Sequence, residues 1–304
     1  MFLIIGADSE IGAAAFQRLA GSGETVAGTT RRAESVGADR HMLDLARPLG
    51  AWAIPPAIRA ACMCAAIARV ADCAADPIGS AHVNVEQTVA LIERLVAREI
   101  YVLFLSTNQV FDGNEPDVAP ETMPTPVSDY GRQKARTEAA LVQLMDRGAA
   151  IGILRLAKVV SPGIALLCGW AKTLAAGRPI RPFADMMMAP TPIDLAASAI
   201  DRLMRERASG IYQLSGPRDV SYDQIGRYIA GRVGAPLELV EAVPAASAGM
   251  PAGSTRRHTT LDSARLRDCF GLRVPEPWQV IESVIPALAG HLKRPLSTHT
   301  DETI

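Results

Sequence analysis

The stretch Phe2-Leu3-Ile4-Ile5-Gly6-Ala7-Asp8-Ser9-Glu10-Ile11-Gly12 decides the fold of this chain. Its four apolar residues predict a buried strand, the small residues after them predict a tight turn, and the pattern from Ile11 to Ala20 predicts a helix. A strand that passes through such a turn into a helix is the opening unit of a parallel sheet covered by helices. We therefore expect an α/β protein.

The same alternation continues through the first half of the chain. Residues 101–106 are nearly all apolar, as a central parallel strand should be, whereas residues 107–129 hold four prolines and several acids and predict a loop. Further strands are predicted at residues 25–29, 41–45, 60–66 and 150–156, and helices at 76–98 and 130–145. This order predicts a doubly wound parallel sheet, the Rossmann architecture.

The second half is less regular because prolines interrupt it repeatedly after about Val160. Helices are predicted at residues 193–204, 221–233, 262–270 and 278–291, with a strand at 211–214 among them. We expect a Rossmann domain over residues 1–160 and a smaller C-terminal mixed α/β substrate domain over 161–304. The segment at about 190–210 is expected to return and pack on the first domain, and the polar tail after Pro295 is expected to be mobile.

Composition excludes several classes of function. The net charge of −1 gives no reason to expect nucleic acid or an anionic membrane as a partner. The five cysteines and five histidines show no metal-ligand spacing, so we expect no metal and free thiols in a reducing compartment. No apolar run reaches the ~20 residues of a membrane span, and the apolar start is too short for a signal peptide. A soluble, cytoplasmic protein is expected.

The turn after the first strand can bind phosphates, because small residues let a pyrophosphate approach the backbone amides at the positive end of a helix. The candidate residues are Gly6, Ser9, Glu10, Ile11 and Gly12. Ser9 replaces the middle glycine of the usual fingerprint, and Asp8 adds a negative charge. The alternative is that Asp8 or Ser9 only caps the helix.

The end of the second predicted strand bears on the choice of dinucleotide. An acid there commonly binds the ribose hydroxyls of NAD, whereas an arginine accommodates the 2′-phosphate of NADP. This strand runs into Thr29-Thr30-Arg31-Arg32, with no acid at its end. The sequence therefore favours NADP, with NAD as the alternative.

Tyr130 and Lys134 are the candidate catalytic pair, because four residues place a phenol and an ammonium on one helix face. A fixed cation lowers the pKa of a neighbouring phenol, which can then exchange a proton with a carbonyl or alcohol oxygen. Ser106-Thr107-Asn108 ends the preceding strand, where open parallel sheets bind ligands. Thr107 is thus a candidate to hold the carbonyl oxygen.

Together these motifs resemble the extended short-chain dehydrogenase/reductase superfamily, in particular the dTDP-4-dehydrorhamnose reductase-like proteins. The resemblance covers most of the chain and adds further segments in the same order, namely Ala65-Ala66, Asn84-Val85, Val110-Phe111-Asp112-Gly113, Leu154-Arg155-Leu156, Pro190-Thr191 and Leu261-Asp262.

The resemblance implies a role for each matched residue. Tyr130 would be the acid/base, Lys134 would lower its pKa and bind the nicotinamide ribose, and Thr107 would orient the substrate oxygen. Asn84 would be a structural support. The cofactor would lie on Gly6, Ser9, Glu10, Ile11, Gly12, Arg31, Arg32, Asp44, Leu45, Ala65, Ala66, Ser106, Tyr130 and Lys134. The resemblance also allows a homodimer through the helices around residues 84–98 and 130–145.

Substrate residues are less well marked. Asn108, Arg178 and Arg181 are candidates, the two arginines as ligands of a substrate pyrophosphate. Met186, Met187 and Met188 stand where the rhamnose-forming reductases have polar and glycine residues, and their pattern is more typical of core or lid packing than of sugar contact. This departure argues against rhamnose itself as the sugar.

The leading hypothesis is an NADP-dependent reductase of a nucleotide-activated keto sugar. One alternative is a nucleotide-sugar epimerase or dehydratase that keeps its NAD bound. Against dehydratases stands the absence of acids after the strand-end Ser-Thr, where this chain has Asn108 and Gln109. Another alternative is a non-catalytic, NADP-binding regulatory protein. The complete set of Thr107, Tyr130 and Lys134 argues against it.

Overall fold

The computed structural model describes residues 1–250 and 255–285. The strands are β1 (Phe2–Ile5), β2 (Val26–Thr30), β3 (Arg40–Met42), β4 (Ala60–Met63), β5 (Tyr101–Thr107), β6 (Ile151–Leu156), β7 (Val159–Val160), β8 (Met187–Met188), β9 (Thr191–Pro192), β10 (Gly210–Leu214) and β11 (Val220–Ser221).

The helices alternate with these strands in the first half and cluster in the second. They are α1 (Glu10–Gly21), α2 (Val70–Ala75), α3 (Pro77–Ala81), α4 (Thr88–Val96), α5 (Asp129–Asp146), α6 (Ala165–Ala175), α7 (Ile193–Glu206), α8 (Tyr222–Val233), α9 (Ala264–Phe270) and α10 (Pro277–Val284). A π-helical segment, His82–Gln87, joins α3 to α4. Short 3₁₀ turns lie at Ala33–Ser35, Leu49–Ala51, Asn108–Val110, Leu237–Leu239 and Ala245–Ala248.

Seven parallel strands form the central sheet in the order β10-β6-β5-β4-β1-β2-β3. The strand order reverses between β1 and β4, as in doubly wound sheets, and ligands of such sheets bind outside the carboxyl ends of the strands at that reversal. The predicted α/β Rossmann architecture is confirmed.

Both faces of the sheet are buried, because successive residues of a strand point to opposite sides. Phe2 and Ile4 pack with α7 on one face, whereas Leu3 and Ile5 pack with α4 and α5 on the other. A separate apolar core joins α6, α8 and α10. Two small strand pairs, β7 with β9 and β8 with β11, connect this second core to the sheet.

The returning segment is longer than predicted. Helix α7 packs against α1 on the sheet, and β10 then pairs with β6 along its whole length. The strand predicted at 211–214 therefore belongs to the central sheet and not to the smaller domain, because its parallel register with β6 completes that edge. The domain boundary at residue 160 stays a prediction.

The helix predicted at 76–98 is observed at residues 77–96, as α3, the π-helical segment and α4 in direct succession. Asp76 has φ −136° and ψ 78°, and Pro77 follows it at the first position of α3. A residue before proline is held out of the helical region, so the chain breaks there and α2 precedes the break. The pattern also missed α6, in a stretch that the prolines around it seemed to exclude.

The last predicted helix, at 278–291, is observed as α10 up to Val284. Ile285 is extended and ends this helix, and residues 286–291 and the tail after Pro295 lie outside the described residues. Among the described helices, none has both the length and the apolar character needed to cross a membrane.

Candidate active site

A cavity of about 770 Å³ lies at the carboxyl ends of the central strands, between the sheet and the second core. Of the predicted site residues, nine line it: Ser9, Glu10, Ile11, Ala66, Ser106, Thr107, Asn108, Tyr130 and Lys134. The cavity thus joins the first turn of α1 to the ends of β5 and α5, although these segments are far apart in sequence.

Local packing of α5 brings Tyr130 to this cavity. Ser128 caps the helix by accepting a hydrogen bond from the Gly131 amide at 3.1 Å. A Cβ atom at Gly131 would lie 2.2 Å from the Gln109 carbonyl oxygen, so only glycine lets α5 approach this loop so closely. The result is that Tyr130 and Lys134 face the end of β5, 9% and 4% exposed, with Thr107 at 8%.

Lys134 is held by its surroundings more than by Tyr130. Its Nζ atom donates a hydrogen bond to the Leu105 carbonyl at 2.8 Å and lies 4.4 Å from the centre of the Phe104 ring. The centre of the Tyr130 ring is 6.0 Å away. Burial lowers the pKa of the Lys134 ammonium to about 8, and the Glu138 carboxylate partly opposes that shift.

Burial acts on the Tyr130 phenol against the predicted effect of Lys134, and the lowering of the phenol pKa by the lysine charge stays a prediction. Burial raises the pKa of the Tyr130 phenol above its ordinary value, and Cys73 adds to that rise. The physical reason is that removal from water disfavours a phenolate, while the lysine charge is directed at the Leu105 carbonyl.

A buried ion pair supports this wall of the cavity. Arg155 on β6 contacts Glu138 on α5 at 2.7 Å, and the two side chains are 2% and 3% exposed. Arg155 also donates to the Pro120 carbonyl at 2.9 Å and to Gln213 Oε1 at 3.1 Å. This network ties α5, β6 and β10 together one helical turn beyond Lys134.

The end of β5 supplies three polar side chains. Thr107 Oγ1 accepts a hydrogen bond from the Gln109 amide at 3.2 Å. Asn108 Nδ2 donates to the Thr259 carbonyl at 3.2 Å. Ser106 Oγ is buried at the cavity without a hydrogen-bond partner among the described residues, and such an atom is costly unless a ligand satisfies it.

In the turn between β1 and α1, Ser9 caps the helix, as one of the two alternatives for this turn predicted. Ser9 Oγ accepts from the Gly12 amide at 3.1 Å and donates to the Gly6 carbonyl at 2.8 Å. Gly6 has φ +84° and lies so close to Ala65 that a Cβ atom would approach its backbone nitrogen to 2.6 Å. The amides of Glu10 and Ile11 precede the first intrahelical bond and have no acceptor among the residues that the structure describes, so they can bind an anion.

The remaining predicted cofactor residues lie outside the cavity lining. Arg31 and Arg32 are exposed after β2. Asp44 Oδ1 accepts from the Ala46 amide at 3.0 Å, and Leu45 is only 5% exposed in the core. Gly12 is buried within α1. Leu45 therefore contributes to packing, and Asp44 stabilises its own turn.

Asn84 has the structural role that was predicted. Its side chain exchanges two hydrogen bonds with the backbone of Ile67, at 2.8 and 2.9 Å, and donates a third to Gln133 Oε1 at 2.7 Å. Asn84 lies on the π-helical segment, whose widened turn directs it towards α5.

Arg178 and Arg181 are absent from the cavity wall. Arg181 is 73% exposed and pairs with Glu241 at 3.0 Å, and Arg178 is also exposed. Both lie in the segment after α6, outside the cavity lining, and their binding of a substrate pyrophosphate stays a prediction.

Among the residues that line the cavity without having been predicted are Lys158, Tyr222, Arg256 and Thr259. Arg256 Nε is buried without a hydrogen-bond partner among the described residues. Its signal in the sequence was weak, because it is one of many arginines and lies far along the chain from Tyr130. Met186, Met187 and Met188 line the cavity as well, although Met188 also packs in the second core.

The described residues contain no cluster of His, Cys, Asp and Glu that could hold a metal ion. All five cysteines are free thiols.

Comparison with known proteins identifies the family. The model of the family described as "RmlD substrate binding domain" matches residues 1–289. A probable low-salt glycan biosynthesis reductase of Haloferax volcanii is 29% identical over 219 residues, covering 70% of this chain and 72% of that protein. A dTDP-4-dehydrorhamnose reductase of Sinorhizobium fredii is 28% identical over 231 residues, covering 71% and 75%.

Solved structures share the fold. A dTDP-4-dehydrorhamnose reductase from Bacillus anthracis in complex with NADP has a TM-score of 0.75 at 17% identity, covering 93% of this chain and 96% of that one. MoeE5 in complex with UDP-glucose and NAD has a TM-score of 0.79 at 20% identity, covering 96% and 99%. The named reductases among the relatives confirm the predicted class, an NAD(P)-dependent oxidoreductase. The chain belongs to the RmlD family, whose relatives include the dTDP-4-dehydrorhamnose reductases.

Proposed function

We propose that the protein is an NADPH-dependent reductase that acts on the keto group of a nucleotide-linked sugar. The observation that carries this proposal is the convergence of Thr107, Tyr130 and Lys134 on one cavity. The same cavity reaches the first turn of α1, so that a dinucleotide and a carbonyl compound can meet beside the phenol. The names of the relatives support the reductive direction.

The residues fit a nicotinamide dinucleotide along this path. The free amides of Glu10 and Ile11 suit the pyrophosphate, and the close packing of Gly6 on Ala65 keeps side chains out of its way. Ser106 Oγ would find its missing partner in the nicotinamide half. The exposed Arg31 and Arg32 suit the 2′-phosphate of NADPH.

The chain supplies the proton and the electrostatic support for the reaction. NADPH, when bound, supplies a hydride to the carbonyl carbon. Tyr130 donates its phenolic proton to the carbonyl oxygen. Thr107 turns its hydroxyl hydrogen to the same oxygen, and Lys134 stabilises the phenolate that remains.

Arg256 is our candidate for the diphosphate of the substrate, in place of Arg178 and Arg181. It lines the cavity beyond Asn108, and its buried Nε has an unused hydrogen. The methionines at 186–188 would then border the sugar with a polarizable, adaptable surface. A sugar that is less polar on that side than rhamnose suits this surface.

The test is an assay of NADPH absorbance with a panel of nucleotide-linked 4-keto sugars, including dTDP-4-dehydrorhamnose. We expect one member to be reduced with NADPH consumed in equal amount. Conversion of a sugar without added reductant would instead indicate the epimerase or dehydratase alternative. Asn108 and Gln109 line the cavity at the positions after Ser106-Thr107 where dehydratases tend to have acids. The absence of acids at these two positions favours the reductase.

A homodimer through α4 and α5 is a second part of the proposal. A groove between these helices is lined by small and apolar residues with charges at its rim, among them Val85, Glu86, Val89, Ala90, Arg136 and Ala139. Light scattering of the protein in solution tests it, and a monomer at micromolar concentration would contradict it.

A further inference from the structure

The carboxylate of Asp8 lies at the end of β2, which the position of Asp8 in the sequence does not predict. Asp8 belongs to the turn after β1, yet its carboxylate reaches the end of β2, where Oδ2 accepts a hydrogen bond from Thr30 Oγ1 at 2.5 Å. Thr30 is the last residue of β2 and is 2% exposed, so it fixes this carboxylate at the strand end. Arg40, on the adjacent β3, approaches Oδ1 at 3.6 Å.

The end of β2 is where a dinucleotide fold distinguishes its two cofactors. A carboxylate there accepts hydrogen bonds from the adenosine ribose hydroxyls of NAD. Strand β2 contributes no acid of its own, because Thr30 is followed by Arg31 and Arg32. Asp8 therefore brings a carboxylate to this strand end from the neighbouring turn.

The carboxylate retains capacity for a ligand. Its two oxygens offer about four acceptor sites, of which Thr30 and Arg40 use two. The side chain is 24% exposed, so solvent and ligands can reach it. Two acceptor sites remain for two ribose hydroxyls.

We propose that Asp8 is the acceptor for the adenosine ribose hydroxyls of NADH and sets the ratio of the affinities for NADH and NADPH. The proposal rests on the proposed function, since it assumes that a nicotinamide dinucleotide binds along β1 and β2. It assigns a specificity-determining role to a residue that departs from the usual glycine-rich turn.

Asp8 and the arginines around it act in opposite directions on the two cofactors. A 2′-phosphate carries roughly two negative charges, which Arg31, Arg32 and Arg40 attract and Asp8 repels. A free 2′-hydroxyl gains from the carboxylate and little from the arginines. Removal of the Asp8 charge should therefore weaken NADH binding and strengthen NADPH binding.

The experiment is calorimetric titration of NADH and NADPH into the full-length parent, Asp8→Asn and Asp39→Asn. Asp39 is an exposed carboxylate near the start of β3 and serves as a control for the loss of one charge in this region. For Asp8→Asn we expect the Kd of NADH to rise about tenfold, as for loss of a hydrogen bond to a charged group. The Kd of NADPH should fall about threefold or more, and Asp39→Asn should leave the ratio of the two within about twofold.

Equal changes for both cofactors, or no change in their ratio, would overturn the proposal while leaving the proposed function in place. If the parent binds neither nucleotide, the proposed function fails and takes this assignment with it. Should Asp8→Asn fail to fold, Asp8→Ser is the second variant, because serine is small, polar and uncharged, and the same opposite shifts are expected.

Discussion

The two ends of the proposed cofactor path are built differently. The inner end, formed by Ser106, Thr107, Tyr130 and Lys134, is less than 10% exposed at every residue. The outer end, formed by Asp8, Arg31 and Arg32, lies largely in water. At the inner end burial itself changes the pKa values, whereas at the outer end charges act through solvent and are screened by salt. Substitutions at the inner end should therefore change activity or stability strongly, whereas substitutions at the outer end should change cofactor affinity only modestly.

The largest effect is expected for Tyr130→Phe. Loss of the proton donor should lower kcat by about 10²–10⁴-fold, while the Kd of NADPH changes by less than about threefold. Steady-state kinetics and calorimetric titration measure the two values. Tyr228→Phe removes the same hydroxyl from the second core and should leave kcat unchanged. Equal kcat for Tyr130→Phe and the parent would end the assignment of the inner end.

Next in size is the loss of the buried ion pair behind Lys134. Arg155→Met leaves the Glu138 carboxylate buried and unpaired, so the free energy of unfolding should fall by about 3–5 kcal/mol. Arg227→Met breaks the exposed pair with Asp223 and should cost less than ~1 kcal/mol. Urea denaturation of both variants measures the difference. Similar losses would remove the distinction between buried and exposed charges in this fold.

The inner end should also respond to pH through Lys134. Because its pKa is lowered to about 8, the ammonium loses its proton as the pH rises through that value. The kcat/KM for NADPH, which reports the free protein, should therefore fall about tenfold per pH unit above pH 8. A profile that stays flat up to pH 10 would mean that Lys134 keeps its ordinary pKa. Lys134→Met should have a low value without this inflection.

The smallest effect is expected at the outer end. Arg31→Gln combined with Arg32→Gln should raise the Kd of NADPH about tenfold at low salt and less at high salt, because exposed charges contribute modestly. The Kd of NADH should change by less than about twofold. Titrations at two salt concentrations measure this. A loss for NADPH that is independent of salt would contradict an exposed electrostatic site.

The same contrast explains what could be predicted from the sequence. Strand and helix periodicity gave the parallel sheet, and the four-residue spacing of Tyr130 and Lys134 placed both on one face. The direction of the Tyr130 pKa could not be predicted, because it depends on burial against segments distant in sequence. Arg256 was missed for the same reason, since only tertiary folding brings it to the cavity.

The differences between the predicted and the observed elements have causes that short sequence patterns do not reveal. The helix at 76–98 was predicted to begin at Asp76 and does begin at Pro77, but the six-residue α2 directly before it is too short to show a helical period and was not predicted. The strand at Gly210–Leu214 looks like any short apolar run, and only its pairing with β6 assigns it to the central sheet.

The π-helical segment His82–Gln87 makes chain length itself a constraint. A π-turn holds one residue more than an α-turn, and one residue corresponds to a rotation of about 100° around the helix axis. Deleting any single residue between α3 and Asn84 would restore regular helix and swing the amide away from Ile67 and Gln133. Sequence comparisons that place gaps in this segment by helical periodicity would misassign Asn84 by one position.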